Sequence, residues 1–434
     1  MKYKRFLIIL IPLIITLLLW IEVKARAEIS WSLDTIFRFG GQLAGLLAIS
    51  LLAQSYVLAT RFKFIENLFG GLDKSYKVHS LISKTGFVLI LLHPMLIASS
   101  VASNFEGFIK FFTPQFNLSP LTYGSMSLAL YTMLIVISIY RFLPYHIWKF
   151  THQFIGVPFM LAGYHAFNIG STFEASPFMR YWMTLVVATG VVAYLYKVIL
   201  YRWFGPKHRF TVVDIKDFGD KVEIYLKPAK QKFVFKAGEF VFLSIRNNKE
   251  ISKEQHPFTI ASDPGKEYVK IAFKVLGDFT KKLKVELKTG DEVDVFGPYG
   301  HFNSENFAAY KNQIWISGGI GVTPFLSMLE FEAQKNSKKN IHFFYCNNVE
   351  KEAIHKDLIS RLSKESKSVN FENYLAKEKG KITADYIVKQ IKDEIKDRII
   401  LLCGPMPMML ALKKQFMKLG VSPKNIVFEE FNLV

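Results

Sequence analysis

Long apolar runs fill the first two hundred residues of the chain, and shorter alternating runs fill the remainder. Crossing the ~30 Å hydrocarbon core of a membrane takes about 20 mainly apolar residues in a helix. Six stretches approach this requirement: 6–21, 36–60, 77–101, 121–140, 150–168 and 178–201. The pattern therefore predicts a membrane α-helical bundle of six transmembrane helices within residues 1–205.

The first stretch also fits a second interpretation. Lys2, Lys4 and Arg5 precede a short apolar run that ends near Ala25 and Ala27, which is the pattern of a cleavable signal peptide. The other five helices are expected in either case.

Basic residues in the loops predict the orientation of the bundle, because loops rich in Lys and Arg stay in the cytoplasm. One side carries Lys2, Lys4, Arg5, Arg61, Lys63, Lys74, Lys77, Arg141, Lys149, Arg202, Lys207 and Arg209. The other side carries Lys24, Arg26 and Lys110, with Arg38 and Arg180 near helix ends. The N-terminus and the chain after residue 205 are therefore expected to be cytoplasmic in a multi-pass cell-membrane protein.

Four histidines lie inside two predicted helices, where ionisable side chains are costly and usually functional. His79 and His93 share the third helix, and their spacing gives a rise of ~21 Å with the rings within ~40° of each other. His152 and His165 share the fifth, and they rise by ~20 Å but fall ~140° short of four turns. Pro158 lies between them and can distort the helix, but the sequence does not show whether both rings then share a face.

Both helices are expected to run outward from the cytoplasm, so His79 lies at the depth of His152, and His93 at the depth of His165. Two pairs of neutral imidazoles in an apolar bundle are what two haem irons require. Hydrogen bonds between helices are the alternative role; one buried histidine would favour it, whereas two matched pairs favour metal binding. His146 lies near the surface, outside this pattern.

The segment Trp148-Lys149-Phe150-Thr151-His152, with the other three histidines, resembles the transmembrane part of the ferric reductase and NADPH oxidase family. The resemblance implies that His79 and His152 bind an inner b-type haem and that His93 and His165 bind an outer one.

Residues 206–305 alternate short β-rich runs with turn residues, which predicts a small antiparallel β-barrel. The runs are Phe210–Ile215, Lys221–Leu226, Phe240–Ile245, Val269–Val275 and Glu292–Val295. Between them lies His256-Pro257-Phe258-Thr259, which resembles the flavin motif of the ferredoxin-reductase-like superfamily. Pro257 would stiffen the backbone, Phe258 would offer an apolar face, and the Thr259 hydroxyl would hydrogen-bond the flavin; the resemblance puts His256 by the FAD ribose or phosphates.

A second motif, Leu276-Gly277-Asp278-Phe279-Thr280, follows a predicted strand. Gly277 lets a pyrophosphate approach the backbone, and the next amides with Thr280 can hold its oxygens. In the family such a Gly-x-x-Thr binds the FAD diphosphate. Either motif alone could be a strand end or turn, but both, followed by Gly297-Pro298-Tyr299-Gly300, predict an FAD-binding domain.

Residues 306–434 show the βα pattern of a Rossmann-like NAD(P)H-binding α/β domain. A buried strand, Gln313–Ser317, leads into a glycine-rich turn and an apolar helix, and free amides at such a helix N-terminus attract phosphate. The resemblance implies a pyrophosphate loop formed by Gly318, Gly319, Gly321, Thr323 and Pro324.

Another buried strand, Arg398–Leu402, ends in Cys403-Gly404-Pro405. Related reductases place this motif beside the nicotinamide, where Gly404 admits the ring and Cys403 orients it; a buried strand-end thiol is the alternative. In the superfamily a C-terminal aromatic residue stacks on the flavin until nicotinamide displaces it. Phe431 is the candidate here, and a packed phenylalanine is the alternative.

The preferred nucleotide is left open by the residues. An NADP site uses Arg or Lys near the 2′-phosphate, and the segment after the strand Ile341–Tyr345 offers only Lys351 or Arg361. The family favours NADPH.

The resemblance implies a function in which NAD(P)H gives a hydride to FAD, and electrons pass singly through the inner and outer haems to an external acceptor. Oxygen giving superoxide is the first expectation and a ferric chelate the second. Arg38 could stabilise developing superoxide or anchor its helix at the interface.

Ile97 replaces a further histidine of the eukaryotic oxidases, and their large outer loops are missing, so the acceptor stays open. A haem-binding membrane module with an inactive dehydrogenase half is the competing class, which the intact motifs disfavour.

Net charge and cysteine content restrict the classes of partner and metal site that the chain can have. The formal net charge of +19 suggests anionic partners, yet there is no zinc spacing and no nucleic-acid motif. Basic residues beside the membrane and at dinucleotide sites account for the excess. The only cysteines, Cys346 and Cys403, are far apart, which excludes a four-cysteine iron–sulfur or zinc site. No calcium-binding loop and no obligate protein partner are evident.

Overall fold

The computed structural model describes residues 2–26, 30–102, 104–112, 119–140, 143–170, 172–230, 232–335, 338–366 and 368–429. The chain forms two compact units, Met1–Gly205 and Pro206–Val434. We call them the helical unit and the two-sheet unit.

The helical unit consists of helices joined by short connections. They are α1 (Lys2–Ala25), α2 (Leu33–Leu58), α3 (Lys63–Phe69), α4 (Leu72–Val101), α5 (Phe105–Phe111), α6 (Pro120–Tyr140), α7 (Tyr145–Gln153), α8 (Gly156–Asn168), α9 (Pro177–Leu195) and α10 (Tyr201–Phe204), with a π-helical turn at Tyr196–Leu200. Serine side chains cap two of the long helices, because Ser32 accepts from the amide of Thr35 and Ser176 from that of Met179. Such caps satisfy amides that lack a partner within the helix.

Helix α2 lies at the centre of this unit and packs against α4 and α9. We call the end where α2 begins and α4 ends the distal end, and the opposite end the proximal end. Large apolar side chains such as Leu18, Val88 and Leu185 are exposed on the outside of the unit. An apolar exterior of this kind suits contact with lipid.

Five stretches in the described part of the chain are long and apolar enough to cross a membrane. They are Phe6–Ala25, Leu33–Leu58, Leu72–Val101, Pro120–Tyr140 and Pro177–Phe204. The predicted fifth stretch, 150–168, is divided between α7 and α8, and Pro158 lies just after the division, where a distortion was expected.

The break between α7 and α8 lies where Pro158 requires it. Proline has no N–H to bond the carbonyl four residues earlier, and its ring crowds that carbonyl; here it belongs to Phe154. The Phe154 carbonyl instead accepts from the amide of Val157 at 2.9 Å. The phenol of Tyr56 on α2 donates to the carbonyl of Ile155 at 2.9 Å, so a neighbouring helix supplies a partner at the break.

The two-sheet unit begins with a six-stranded antiparallel sheet. Its strands are β1 (Lys207–Asp217), β2 (Lys221–Pro228), β3 (Phe240–Ile245), β4 (His256–Thr259), β5 (Val269–Lys274) and β6 (Glu292–Tyr299), in the order β4-β3-β6-β1-β2-β5. A bridge between Ile260 and Ile271 joins the two edges, which makes the sheet barrel-like. Helix α11 (Asp278–Glu286) follows β5.

Strand β4 was not among the five strands expected from the sequence. It has only four residues and contains Pro257, and proline is tolerated where a strand lies at a sheet edge. The flavin motif is therefore itself a strand.

The second sheet is parallel and contains β7 (Asn312–Gly318), β8 (Asn340–Asn347), β9 (Val369–Leu375), β10 (Ile399–Cys403) and β11 (Ile426–Glu429), in the order β11-β10-β7-β8-β9. Helices α12 (Thr323–Gln334), α13 (Lys356–Ser366), α14 (Ala376–Lys379), α15 (Ala384–Ile391) and α16 (Met406–Lys418) connect them. Separate apolar cores lie on its two faces, one around Trp315 and Phe325, the other around Ile316 and Phe416. This is the expected α/β arrangement.

Buried charges lie where the elements of the two sheets meet. Lys270 of β5 is 3.8 Å from Glu223 of β2 and 4.0 Å from Glu330 of α12, and His355 before α13 is 3.5 Å from Glu223. Burial, followed by the charges of Lys270 and Lys221, lowers the pKa of His355 to about 3. The imidazole is therefore neutral at physiological pH, and the network links the two sheets.

Candidate functional site

The four histidines of α4, α7 and α8 form two pairs inside the helical unit. The ring centres of His79 and His152 are 6.4 Å apart, and those of His93 and His165 are 6.3 Å apart. The break before Gly156 separates His152 and His165 into different helices, so the ideal-helix phase between them does not apply. We call them the proximal pair and the distal pair.

Each ring of the distal pair is held by a main-chain carbonyl. Nδ1 of His93 is 2.8 Å from the carbonyl oxygen of Gly41, and Nδ1 of His165 is 2.8 Å from that of Pro120. Because a carbonyl oxygen can only accept, both Nδ1 atoms carry the hydrogen and donate it. The lone pair of each neutral ring is then on Nε2.

Serine residues hold the proximal pair. Nδ1 of His79 is 2.9 Å from the carbonyl of Ser55 and 2.8 Å from its hydroxyl. Nδ1 of His152 is 3.1 Å from the hydroxyl of Ser138, which donates its own hydrogen to the carbonyl of Leu134 at 2.7 Å. Ser138 must therefore accept from His152, and Nε2 again carries the lone pair.

Glycines provide the space for the distal pair. An added Cβ at Gly124 would lie 2.8 Å from Nδ1 of His165, and one at Gly45 would lie 3.0 Å from Nδ1 of His93. Small residues on helix faces permit such close approach. These glycines were not predicted from the sequence, although the spacing of Gly41 and Gly45 on one helix face is a signal that could have identified them.

These pairs fit the requirements of a haem iron. A metal ion between two imidazole nitrogens at ~2 Å each separates the ring centres by about 6 Å, close to both observed separations. Ligating histidines also donate their second nitrogen to a carbonyl or similar group, as all four do here. In the described part of the chain no group of three or more His, Cys, Asp or Glu forms another metal site, and the hydrogen bonds leave one nitrogen of each ring available.

The two predicted flavin motifs meet in the two-sheet unit. The ring of His256 stacks on that of Phe279, with centres 3.7 Å apart, and Nε2 of His256 is 3.1 Å from a carboxylate oxygen of Glu254. Phe258 is buried in the barrel core beside Phe273, and Thr259 is buried as well. Phe258 therefore packs inside the barrel. Phe279, whose ring joins the two motifs, was not predicted as a site residue.

Gly277 lies at the N-cap of α11, and nothing is within 4 Å of the place where its Cβ would be. The hydroxyl of Thr280 accepts from the amides of Leu276 and Gly277 at 3.0 and 3.1 Å. Thr280 thus shapes the loop, and the open space over Gly277 leaves room for a diphosphate.

The glycine-rich loop and the Cys-Gly-Pro motif are packed backbone against backbone. An added Cβ at Gly321 would lie 2.4 Å from the carbonyl oxygen of Cys403, and one at Gly404 would lie 2.8 Å from the amide nitrogen of Gly318. Only glycine fits at this distance. Gly319 adopts a φ of 55°, Thr323 and Pro324 begin α12, and Pro405 lies against Gly318.

Cys403 is the last residue of β10 and is completely buried. Burial, and then the carboxylate of Glu429, raises the pKa of its thiol well above the ordinary value. The expectation that Cys403 follows the strand is therefore wrong, and its placement matches the alternative of a buried strand-end thiol. The carbonyl oxygen of Cys403 lies against the glycine-rich loop at Gly321.

The remaining sites lie apart from these motifs. Lys351 lies in a 3₁₀ turn, Glu350–Glu352, after β8, and Arg361 on α13 pairs with Glu365 at 3.9 Å. Arg38 is exposed in the second turn of α2, at the distal end. Phe431 lies outside the described residues.

Three family models match the chain in the expected order. A ferric reductase like transmembrane component matches residues 44–163, an FAD-binding domain matches 218–323, and an oxidoreductase NAD-binding domain matches 315–414. In this domain order the chain is similar to the ferric reductase and NADPH oxidase family.

Curated relatives of the chain include a ferric reduction oxidase and a dual oxidase. Ferric reduction oxidase 7, chloroplastic, of Arabidopsis thaliana is 32% identical over 166 residues, covering 33% of this chain and 21% of that protein. Dual oxidase 1 of Caenorhabditis elegans is 35% identical over 132 residues, covering 29% of this chain and 9% of that protein.

Flavohemoprotein A of Dictyostelium discoideum is 26% identical over 258 residues, covering 55% of this chain and 64% of that protein. The chain spans 54 to 64% of the length of the flavohemoproteins it matches. A solved flavohemoglobin from Malassezia yamatoensis, described with bound FAD and heme, has a TM-score of 0.51 at 16% identity. The match covers 91% of this chain and 99% of that chain; at this identity the likeness concerns fold alone.

Proposed function

We propose that the protein is an NAD(P)H oxidoreductase that transfers electrons across the cell membrane to an external acceptor. The observation that carries this proposal is the arrangement of four imidazoles in two pairs at two levels of an apolar helical unit. In each ring the Nδ1 hydrogen is donated to an oxygen and the Nε2 lone pair is available. The family models for FAD and NAD binding favour a nucleotide as the electron source.

FAD, which exchanges two electrons with NAD(P)H, and two b-type haems, which exchange one each, supply the redox chemistry when bound. His79 and His152 would hold one haem, and His93 and His165 the other. In the two-sheet unit, the flavin site would consist of His256, Pro257, Thr259, Gly277 and Thr280, with Phe258 of the same motif packed in the barrel core. Gly318, Gly319, Gly321, Thr323, Pro324, Cys403, Gly404 and Pro405 would form the nucleotide site.

The residues of the chain bind and orient these groups. The hydrogen bonds at Nδ1 fix each imidazole ring, and the apolar side chains of the bundle exclude water. The packing of Gly321 on Cys403 keeps the loop backbone close to the strand end, where phosphate binds in such folds. Phe431 would cover the flavin ring, and NADPH is the nucleotide that the family favours over NADH.

Three domains are part of the proposal: residues 1–205 for haem, 206–305 for FAD and 306–434 for NAD(P)H. The cytoplasm would contain the N-terminus and the last two domains, because most loop charges lie at the proximal end of the helical unit. The distal pair would then serve the external acceptor.

Oxygen, giving superoxide, is the first acceptor that we propose, with Arg38 beside the developing anion. A ferric chelate is the second, and the match of residues 44–163 to a ferric reductase like component favours it. A haem-binding module without dehydrogenase activity is the competing class.

Haem content tests the proposal most directly. The purified protein should contain two b-type haems per chain, and His79→Ala or His165→Ala should each remove one. His146→Ala is the matched control, because His146 is exposed on α7 and should leave both in place. A pyridine haemochrome assay measures this ratio. A chain without haem, or a full complement after replacing both His79 and His165, would contradict the proposal.

Reduction by nucleotide then separates the enzyme from the competing module. Adding NADPH should produce the reduced b-type spectrum only when FAD is present.

In a cytochrome c reduction assay, inhibition by superoxide dismutase supports oxygen as acceptor, and no inhibition supports direct metal reduction.

A further inference from the structure

Two cations approach one aromatic ring at the distal end of the helical unit. Nζ of Lys24, in the last turn of α1, is 4.6 Å from the ring centre of Phe39, and the guanidinium carbon of Arg38 is 5.8 Å from it. Trp20 and Trp31 meet the same ring edge-on at 6.0 and 6.4 Å. We call Lys24, Arg38 and Phe39 the Phe39 cluster.

The positive charge of this cluster is not balanced by the described residues. Among the described residues, no carboxylate forms an ion pair with Lys24 or Arg38. Asp34 lies one turn before Arg38 on α2, but it forms no ion pair with either cation. The carboxylate of Glu22 is engaged by Arg26 and by the hydroxyl of Ser176. Two like charges beside one ring repel each other, so an anion between them would relieve the repulsion.

Anchoring at a membrane interface does not explain both cations. Interfacial Lys and Arg direct their charges into water and away from apolar surface. One cation on Phe39 gains a cation–π contact, but bringing a second to the same ring adds repulsion. The convergence of Lys24 and Arg38 therefore indicates binding of a negatively charged group.

The cluster lies at the same end of the bundle as the distal pair. Helix α2 carries Arg38, and three residues later it carries Gly41, whose carbonyl holds Nδ1 of His93 at 2.8 Å. Three residues of helix rise by ~4.5 Å. The cluster is thus within one turn of the residue that positions the distal imidazole.

We propose that the Phe39 cluster is the binding site for anionic electron acceptors, meaning metal complexes of net negative charge such as ferric carboxylate chelates. This inference rests on the proposed transmembrane electron transfer and specifies one class of acceptor. One NAD(P)H gives NAD(P)⁺, one proton and two electrons. Two complexed Fe(III) ions each take one electron and become Fe(II), with no bond formed or broken at the chelate.

Probes of opposite charge test the site on the purified full-length protein in detergent, loaded with FAD and haem. Hexacyanoferrate(III) is the anionic probe, and hexaammineruthenium(III) is the cationic one. Direct reduction by the flavin is measured with the His93→Ala variant and subtracted from each rate. Only electrons that pass the distal pair are then counted.

The double variant Lys24→Met/Arg38→Met should raise KM for hexacyanoferrate(III) about tenfold relative to KM for hexaammineruthenium(III) at low ionic strength, and salt should shrink the difference. Arg38→Lys, in a chain with Lys24 intact, should restore most of the affinity. Lys110→Met is the matched control, because Lys110 is an exposed cation on α5 that is not part of the cluster, and the KM ratio of this variant should stay at the wild-type value. Retention of two haems shows that the variants are folded.

An unchanged KM ratio, or equal changes for both probes, overturns this inference while electron transfer to the probes continues. A larger effect of Lys110→Met than of the double variant overturns it as well. If neither probe is reduced in a His93-dependent way in the wild-type protein, the proposed electron transfer itself is wrong, and this inference falls with it.

Discussion

The candidate site of the helical unit is built from side chains, whereas the nucleotide loop of the two-sheet unit is built from main-chain atoms. In the helical unit the chemistry lies in side chains, and main-chain carbonyls or serine hydroxyls hold them in place. In the two-sheet unit the nucleotide loop is made of backbone, and the absence of side chains at Gly321 and Gly404 lets two segments touch. A side-chain site should weaken by degrees when its neighbours change, whereas a backbone site should fail when a single atom is added.

The largest effect is therefore expected at the nucleotide loop. Gly321→Ala would place a Cβ 2.4 Å from the carbonyl oxygen of Cys403, so the loop must move. Since displacement by about 1 Å can slow a reaction by roughly 100-fold, flavin reduction by NAD(P)H should slow by about that factor. Stopped-flow absorbance of the flavin measures this rate, and haem content should stay normal. Near wild-type reduction would show that the loop is not the nucleotide site.

A smaller effect is expected when glycine is replaced beside the distal pair. Gly124→Ala would place a Cβ 2.8 Å from Nδ1 of His165, and turning this ring should reduce haem from two toward about one per chain. Gly40→Ala is the control, because its Cβ would meet only Leu96, at 3.4 Å. Equal haem ratios in the two variants would show that the contact between Gly124 and His165 does not determine haem binding.

The proximal pair provides a graded test of the serine partners. Ser138→Ala removes the hydroxyl that accepts from His152, and loss of such a partner typically lowers metal affinity about 10-fold or more. Ser55→Ala should have less effect, because the Ser55 carbonyl still accepts from His79 at 2.9 Å. Haem dissociation to apomyoglobin measures both variants; a stronger effect of Ser55→Ala would reverse the assignment of partners.

The smallest effect is expected from the buried thiol of Cys403. Its raised pKa keeps it protonated in the folded chain, whereas an unfolded thiol ionises above about pH 8.5. The folded state is therefore favoured less as pH rises beyond that value, by at most about 1.4 kcal/mol per pH unit. In Cys403→Ala the thermal unfolding midpoint should fall less between pH 8 and 10 than in the wild-type protein. Flavin fluorescence during heating measures this midpoint. An unchanged decline would mean that other groups dominate it.

Hydropathy was enough to predict most of the helical unit, because apolar composition over about 20 residues is a strong signal. It could not locate the break before Gly156, because hydropathy averaged over about 20 residues does not register an interruption of two residues. Pro158 pointed to a distortion, but the resulting ring positions depend on α2 and α6. The phase between His152 and His165 was for this reason not predictable from one helix alone.

In the two-sheet unit, strand pattern and glycine motifs predicted both sheets and both loops. The stack of His256 on Phe279 joins residues from a strand and a later helix, and no local pattern encodes such a contact. The burial of Phe258 was missed, and that of Cys403 was only the alternative, for a related reason: a strand end can face either a ligand or a core. The partners of the four histidines are mostly backbone carbonyls, which leave no mark in a sequence.

The interrupted segment around Phe154 has an evolutionary consequence. Pro158 leaves the carbonyl of Phe154 without its helical donor, and the amide of Val157 takes that place at 2.9 Å. The phenol of Tyr56 donates to the next carbonyl, that of Ile155, and so ties α2 to the interruption. Since an unpaired carbonyl costs several kcal/mol in a membrane interior, homologues that keep the interruption should also keep a hydrogen-bond donor at position 56.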